Sequence, residues 1–496
     1  MKRTLSMLLL CALLLSTVAC SSKKSDDAGD NTANGTGTAS ETETETEDPY
    51  DPHLPEMDFG GENFTFAHVS TPDYAYKLTV DLVAEEQNAE TINDAVYLRN
   101  TAVEDACNVK IVAMYSSNFG EVTKWVKEAA TAGDDLYDAI NERLYEIPQL
   151  ITGGYLRNLY TLPYIDFTRD WWDHSSVESL TLRDNLFIVA SDIFLSDKYA
   201  TACVMFNKDL AKDYAIEDPY SLVREGKWTL DKIREISSNI SYDVNGDGEM
   251  TEDDFYGILG RRDMTTFFFH GANGRIAMTN ADGSVEDLFY NEHNVSAVDK
   301  VFSILYDTNI FFNVHTRLNV PDNDYYTYFR DGHSLFYVGC MMEEVSKLRE
   351  ADITFGIIPN PKYDEAQENY HSTVSVHHTG LLSVPKTAMK LEKIGYVLEA
   401  LSAKSSEALQ PAYYETALKG KALRDMESEE MLDIIFDNRV FDLGDIMNFG
   451  GFSIDFICIS TGAKSTDITS FYEKYKPKIA ADIEKFMDSL DTVVAE

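Results

Sequence analysis

Phe64-Thr65-Phe66-Ala67-His68-Val69 opens the run of sequence that decides the fold. It is a short apolar segment and reads as a strand. In Thr91–Ala106, Ile92, Ala95, Val96, Ala102, Val103 and Ala106 form a stripe at helical spacing. Val109–Met114 is again apolar and β-branched. Glu121–Ala132 turns Val122, Trp125, Val126, Ala129 and Ala130 inward as a second helix, and Leu136–Ile140 is a third strand. Strand–helix alternation at this spacing predicts a parallel sheet with right-handed crossovers. In open sheets of that kind, ligands sit beyond the C-terminal strand ends. Attention therefore goes to Ser70, to Tyr115-Ser116-Ser117-Asn118 and to Asn141-Glu142-Arg143.

Downstream the pattern repeats as a second α/β region from about Asp166. Phe187–Ala190, Ala202–Phe206, Leu335–Gly339 and Phe355–Pro359 read as strands, with helices at Thr229–Ser237 and Met342–Leu348. Helices then dominate: Leu391–Leu401, Ser428–Asp437 and Ile468–Leu490. There is no internal repeat of solenoid period.

Upstream, Met1-Lys2-Arg3 is cationic, Leu5–Leu15 is almost wholly apolar, and Thr17-Val18-Ala19-Cys20 ends the run with small residues before a thiol. The apolar run is too short to span a bilayer, so it reads as a signal peptide. Cys20 in this position resembles a bacterial lipobox cysteine, which is lipidated and becomes the mature N-terminus; several acyl chains, at about 0.8 kcal/mol per buried CH2, make a stable anchor. The alternative is a soluble secreted protein with an incidental Cys20. Ser21 to about Pro55 is rich in Ser, Thr, Gly, Asp and Glu. It buries too little apolar area to offset its ordering entropy, so it reads as a disordered, extended tether.

The chain has 496 residues, of which about 440 follow the tether, enough for two or three cored lobes. A net charge of −42 excludes nucleic acid and anionic lipid as partners, because phosphate contacts need clustered Lys and Arg. Cys107, Cys203, Cys340 and Cys458 are widely spaced, with no CxxC and no Cys/His metal spacing, so no disulfide framework is expected.

One metal motif stands out. In Asp243–Asp254, Asp243, Asn245 and Asp247 occupy positions 1, 3 and 5 of a calcium loop, and Gly248 takes the sharp turn at position 6. Glu249 offers its carbonyl, Thr251 a hydroxyl or a water contact, and Asp254 stands at position 12, where Glu usually binds through both oxygens. The expected cofactor is a structural Ca2+; the alternative is an Asn-Gly and Asp-Gly rich turn without metal. Catalytic motifs are missing. Gly226-Lys227-Trp228-Thr229 fails as a phosphate loop because Ser221 takes the glycine position and Trp228 the Ser/Thr position, and there is no HExxH, GxSxG or GxGxxG. His377-His378 would face opposite sides of a strand, which makes joint metal binding awkward. Trp171-Trp172 follows Tyr164-Ile165-Asp166, either as a sugar-stacking platform or as core residues.

Together these segments resemble the bacterial extracellular solute-binding proteins of ABC importers, family 1, the sugar-binding type. The resemblance runs from about Phe64 to the C-terminus. It rests on Asn93–Asn100, on Gly153-Gly154-Tyr155-Leu156-Arg157-Asn158-Leu159 with Trp171-Trp172 after it, and on Val204-Met205-Phe206-Asn207-Lys208. Gly226–Leu230 and Phe329–Phe336 complete it, in order and spacing. It implies an α/β fold of two hinged lobes with parallel or mixed sheets and flanking helices. The expected plan is a signal peptide at 1–19 and a tether at 20–56. A first lobe would be made of 57–166 and 322–377, and a second of 167–321 and 378–496. The resemblance also implies membrane permease subunits as partners, a monomer, and lipid anchoring outside the cell membrane. Cleft residues are expected at strand ends and among aromatics. Tyr115, Asn118, Glu142 and Arg143 come from the first lobe, Trp171, Trp172, Asn207 and Arg262 face them, Tyr337 and Gly339 lie nearby, and Tyr413 and Tyr414 close one end. The resulting expectation is a non-enzymatic receptor that binds a mono- or oligosaccharide between its lobes and hands it to the permease. A surface carbohydrate-active enzyme or a calcium-stabilised adhesin are the other readings.

Overall fold

Two mixed sheets organise the computed structural model, which describes residues 48–70, 81–261, 263–314, 326–343, 348, 353–418, 426–452 and 468–495. The first sheet contains the strands Glu62–His68, Val109–Tyr115, Ala139–Arg143 and Gly380–Ser383. The 62–68 strand lies between 109–115 and 139–143 and runs parallel to both, in the register His68 to Tyr115 and His68 to Asn141. The 380–383 strand adds the antiparallel edge, Leu382 opposite Asn141. The crossovers are the helices Thr91–Cys107 and Glu121–Ala132. The first buries Ala95, Val96 and Val103; the second buries Val122, Val126 and Ala129, as the apolar stripes require.

The second sheet has the order 311–313, 256–260, 334–340, 202–207, 355–358. Phe311–Asn313, Tyr256–Gly260 and Ser334–Cys340 are parallel, while Ala202–Asn207 runs against both Ser334–Cys340 and Phe355–Ile358. Every residue of the 202–207, 256–260, 334–340 and 355–358 strands is buried, so these strands are covered on both faces. Each fully buried Leu, Ile or Phe contributes about 1.5–3 kcal/mol of transfer free energy.

The expected lobe boundaries need correction. Segment 322–377 does not join the first sheet: its strands 334–340 and 355–358 pair within the second. Segment 378–496 begins instead with the edge strand of the first sheet, and its helix Leu391–Lys404 packs on Thr91–Cys107. The chain changes sheets along two neighbouring antiparallel segments. At one end Val189 bridges Leu382; along the way Ser196 Oγ donates to the Gly380 carbonyl at 3.2 Å and Ser375 N–H to the Ala200 carbonyl at 2.9 Å; at the other end Thr201 bridges Val374. The second segment therefore leaves the second sheet about where the boundary was expected, but in the opposite sense.

The tether also ends earlier than residue 56. Leu54 packs against the core, and Arg169 Nη2 donates to the Asp51 carbonyl at 2.6 Å. Cys20, the signal segment, Arg262 and Cys458 lie outside the described residues. Cys107, Cys203 and Cys340 are buried.

Candidate functional site

The Ala139–Arg143 strand runs out of the first sheet into Leu144-Tyr145-Glu146, and two backbone bonds hold this exit against the crossing segment: Leu144 N–H to the Thr379 carbonyl at 2.9 Å and Tyr145 N–H to the Val376 carbonyl at 3.2 Å. Arg143 lies over the Phe119 ring, its Cζ 3.7 Å from the ring centre, and pairs with Glu146, Nε to Oε2 at 2.7 Å. The stacked and paired guanidinium is thereby fixed in one orientation. The Tyr145 ring stands 5.1 Å from His377 and is 48 % exposed. An exposed aromatic pair beside a held cation and carboxylate offers a flat apolar face flanked by hydrogen-bonding groups.

From the second sheet the Tyr256–Gly260 strand ends at Arg261 and Asp263, whose charged groups are 3.5 Å apart and about six-sevenths buried, at 15 % and 14 % exposure. The two strand ends meet at His378. Burial pushes its imidazole down to about 3; Arg261 adds to that shift, Asp263 opposes it, and His377 and Arg143 lower it further. Groups from both sheets thus act on one side chain carried by the crossing segment. The ring is neutral across the physiological range, and its Nδ1 faces Ser375 Oγ at 3.1 Å. Charged groups beyond the C-terminal ends of strands from both sheets thus lie around His378, and this strand-end region is the candidate crevice.

The residues expected at the cleft are distributed differently. Arg143 lies in the crevice. Asn118 is exposed one residue before Phe119. Tyr115 is half-buried against His68, ring centres 5.7 Å apart, and burial with the nearby Asp81 pushes its phenol up to about 12. Glu142 points away from the crevice: it is fully buried and accepts Thr123 N–H at 2.7 Å and Thr123 Oγ1 at 2.9 Å, and burial raises its pKa. Alternation along the strand sends it to the face covered by the 121–132 helix.

Trp171 and Trp172 are 2 % and 1 % exposed, and their Nε1 atoms donate to the two oxygens of Glu399, at 3.1 and 3.0 Å. They are interior residues that dock the 391–404 helix, which also approaches Pro163 so closely that a Cβ at Gly395 would stand 1.9 Å from its carbonyl oxygen. Asn207 sits at the far end of the second sheet, because its strand runs antiparallel to 334–340; there it caps the Lys208–Asp213 helix by accepting Leu210 N–H at 2.9 Å. Tyr337 is buried and stacks on Phe329, ring centres 5.8 Å apart. Gly339 is buried in mid-sheet opposite Cys203. Tyr413 is buried edge-on to Tyr199, and Tyr414 packs on Phe436. Phe119, Tyr145, Glu146, Arg261 and Asp263 escaped the sequence reading. The usable signal for Tyr145 was its place two residues past Arg143, just beyond a strand's C-terminal end.

The 243–254 loop closes as a small hairpin on the Tyr242–Phe255 bridge. Gly246 and Gly248 have φ of 76° and 86°, so both use the left-handed region that glycine permits. Asp243 accepts Gly246 and Gly248 N–H through its two oxygens at 2.6 and 2.7 Å, while Asp254 accepts Val244 N–H at 2.8 Å and Thr251 N–H at 2.6 Å. Among the described residues, no three His, Cys, Asp or Glu side chains gather closely enough to hold an ion, so here the carboxylates serve the loop's own amides. Asn245, likewise, accepts Asp247 N–H at 2.9 Å.

Two mixed sheets joined by antiparallel crossing segments make a two-lobe α/β fold. Solved structures agree. The chain is similar to UspC of M. tuberculosis, with a TM-score of 0.56, 13 % identity, and coverage of 85 % of this chain and 100 % of that one. It is also similar to a cyclo/maltodextrin-binding protein complexed with maltotetraose, at a TM-score of 0.54 and 12 % identity over 86 % and 98 % of the two chains. The GacH receptor of Streptomyces glaucescens, solved unliganded and with acarbose, matches at a TM-score of 0.51 and 15 % identity over 87 % and 99 %. No family model and no curated protein matches the chain.

Proposed function

We propose that this chain is the substrate-binding component of an ABC importer, of the family 1 sugar-binding type. It takes a neutral mono- or oligosaccharide into the crevice at the facing strand ends and delivers it to membrane permease subunits. The observation that carries this reading is the exposed Tyr145–His377 pair beside Arg143, Glu146, Arg261 and Asp263, in a fold whose solved neighbours include proteins crystallised with maltotetraose and acarbose. Sugar rings stack their C–H faces on aromatic rings, and their hydroxyls pair with held cations and carboxylates. Binding and release need no nucleophile or base, and the neighbours are binding proteins. His378, held neutral, is suited to hydrogen bonding rather than to charge.

The same reading has the chain act outside the cytoplasm as a monomer, lipidated at Cys20 after cleavage of residues 1–19. No described helix is long and apolar enough to cross a membrane. It also has Asp243, Asn245, Asp247, Glu249, Thr251 and Asp254 hold a structural Ca2+. Titration of the purified chain with glucose, maltose and maltotetraose, followed by calorimetry and by X-ray scattering, tests the receptor reading. A saccharide should bind and reduce the radius of gyration; turnover of the bound sugar, or the absence of binding by any neutral saccharide, overturns it. A calcium-dependent rise in melting temperature that is lost in Asp243→Ala tests the metal.

A further inference from the structure

Beside the crossing segments lies a second cavity, of about 360 Å³, which shares no lining residue with the crevice. The helix His174–Leu180 forms one wall, the strand Ala277–Thr279 another, and residues 437–443 a third. Arg439 lies in this lining and is 92 % buried, at 8 % exposure. Its Nη1 and Nη2 are taken by Asp197 and Asp173, yet its Nε has no hydrogen-bond partner. Arg275 lines the same space, with Nη1 held by the Gly274 carbonyl at 2.7 Å. His371 lies there too; burial, then Arg275 and His270, push its imidazole down to about 4, so it is neutral at physiological pH.

The remaining lining decides the ligand class. Exposed carboxylates of Glu178 and Asp437 and the buried Asp442 stand in the same lining, which opposes an anion, while Arg275 opposes a cation, Arg439 being already paired with Asp173 and Asp197. Ser175 and Ser179 add hydroxyls and Phe441 an apolar face. A neutral molecule whose hydroxyls accept from Arg275 and donate to the exposed carboxylates suits this mixed lining. The volume lies at the lower end of small-molecule sites, room for about one sugar ring. We propose that this cavity binds a neutral polyhydroxylated solute of monosaccharide size, independently of the crevice. Because Arg439 grips Asp197 on the crossing segment, an occupant at this position also bears on the junction between the two sheets.

The test is saturation-transfer NMR on the full chain with glucose, galactose and myo-inositol as neutral probes, and with glucuronate and choline as charged ones. Tyr145→Ala weakens the crevice about tenfold and serves as the background; Ser179→Trp fills the second cavity and Arg275→Gln removes its cation, so binding lost on adding either belongs to the second cavity. The neutral probes should still bind in Tyr145→Ala and should weaken at least tenfold when Ser179→Trp or Arg275→Gln is added. Should Ser179→Trp fail to fold, Arg275→Gln decides alone. The proposal is overturned if no neutral probe binds Tyr145→Ala, if binding survives the cavity variants unchanged, or if glucuronate or choline binds in preference. Failure of the importer reading is separate, since it appears as unchanged oligosaccharide binding in Tyr145→Ala.

Discussion

Two aromatic pairs in the molecule stand in opposite environments. Trp171-Trp172 is the bulkier pair and sits next to Arg169 and Asp166, as a binding platform would. Both indoles are nevertheless sealed in the interior on one carboxylate, Glu399. Tyr145 and His377, distant in sequence, form an open pair at the meeting point of the two sheets. The lesson is that an aromatic side chain stays open to solvent only where the backbone beneath it turns outward. A strand end pressed against a crossing segment provides that turn; a loop docked by a buried acid does not.

The severest way to break this comparison is Glu399→Leu. It leaves two buried indole N–H groups without an acceptor, and the expected loss is about 3 kcal/mol of unfolding free energy in urea. Saccharide affinity of the folded fraction should be unchanged; a weakened affinity without a stability loss would return the tryptophans to the binding site.

A second test uses pH. Burial raises the Glu399 carboxyl to about 7, against the pull of the two indoles and of Asp166 N–H. Between roughly pH 4.5 and 7 the folded chain therefore holds a proton the unfolded chain has released, and stability falls as pH rises through that window. Glu399→Gln should flatten that slope by up to a few kcal/mol in melts across the range. His270 also loses its contribution on the alkaline side. Burial alone would lower its pKa, but Asp445, at 2.6 Å from Nε2, and Asp442 raise it, so its stabilisation is complete below 6.5 and fades as pH climbs through the raised value. Asp445→Asn separates the two effects.

Smaller still is Tyr145→Ala. Loss of one stacking face should cost about 1.4 kcal/mol, roughly tenfold in saccharide affinity by calorimetry, with little change in the melt. An unchanged affinity would put the sugar elsewhere. The mildest is Asn207→Ala, which removes a helix cap and should cost about 1 kcal/mol of stability with no effect on affinity. A reduced affinity there would mean that the far end of the second sheet also meets ligand.

Much of the architecture was legible in the residues. The 62–68, 109–115, 334–340 and 355–358 strands and the 91–107, 121–132 and 391–404 helices lie within a few residues of the expected positions, because their apolar periodicity is strong. The site was less legible. Arg143 follows from the strand-end rule, but Asn207 obeys the same rule and lies at the wrong end. The rule needs strand direction, and nothing local in Ala202–Asn207 says that it runs against its neighbours. The lobe assignment of 322–377 failed for the same reason.

The chain by itself determined the alternation of strands and helices and the glycine-turned path of the 243–254 loop, since each depends on residues a few positions apart. Only the tertiary structure decided which sheet each late strand joins, which way Glu142 points, and whether a tryptophan is buried. Those outcomes are set by partners hundreds of residues away, such as Glu399 for Trp171 and Leu382 for Asn141, and by the burial that strand pairing imposes.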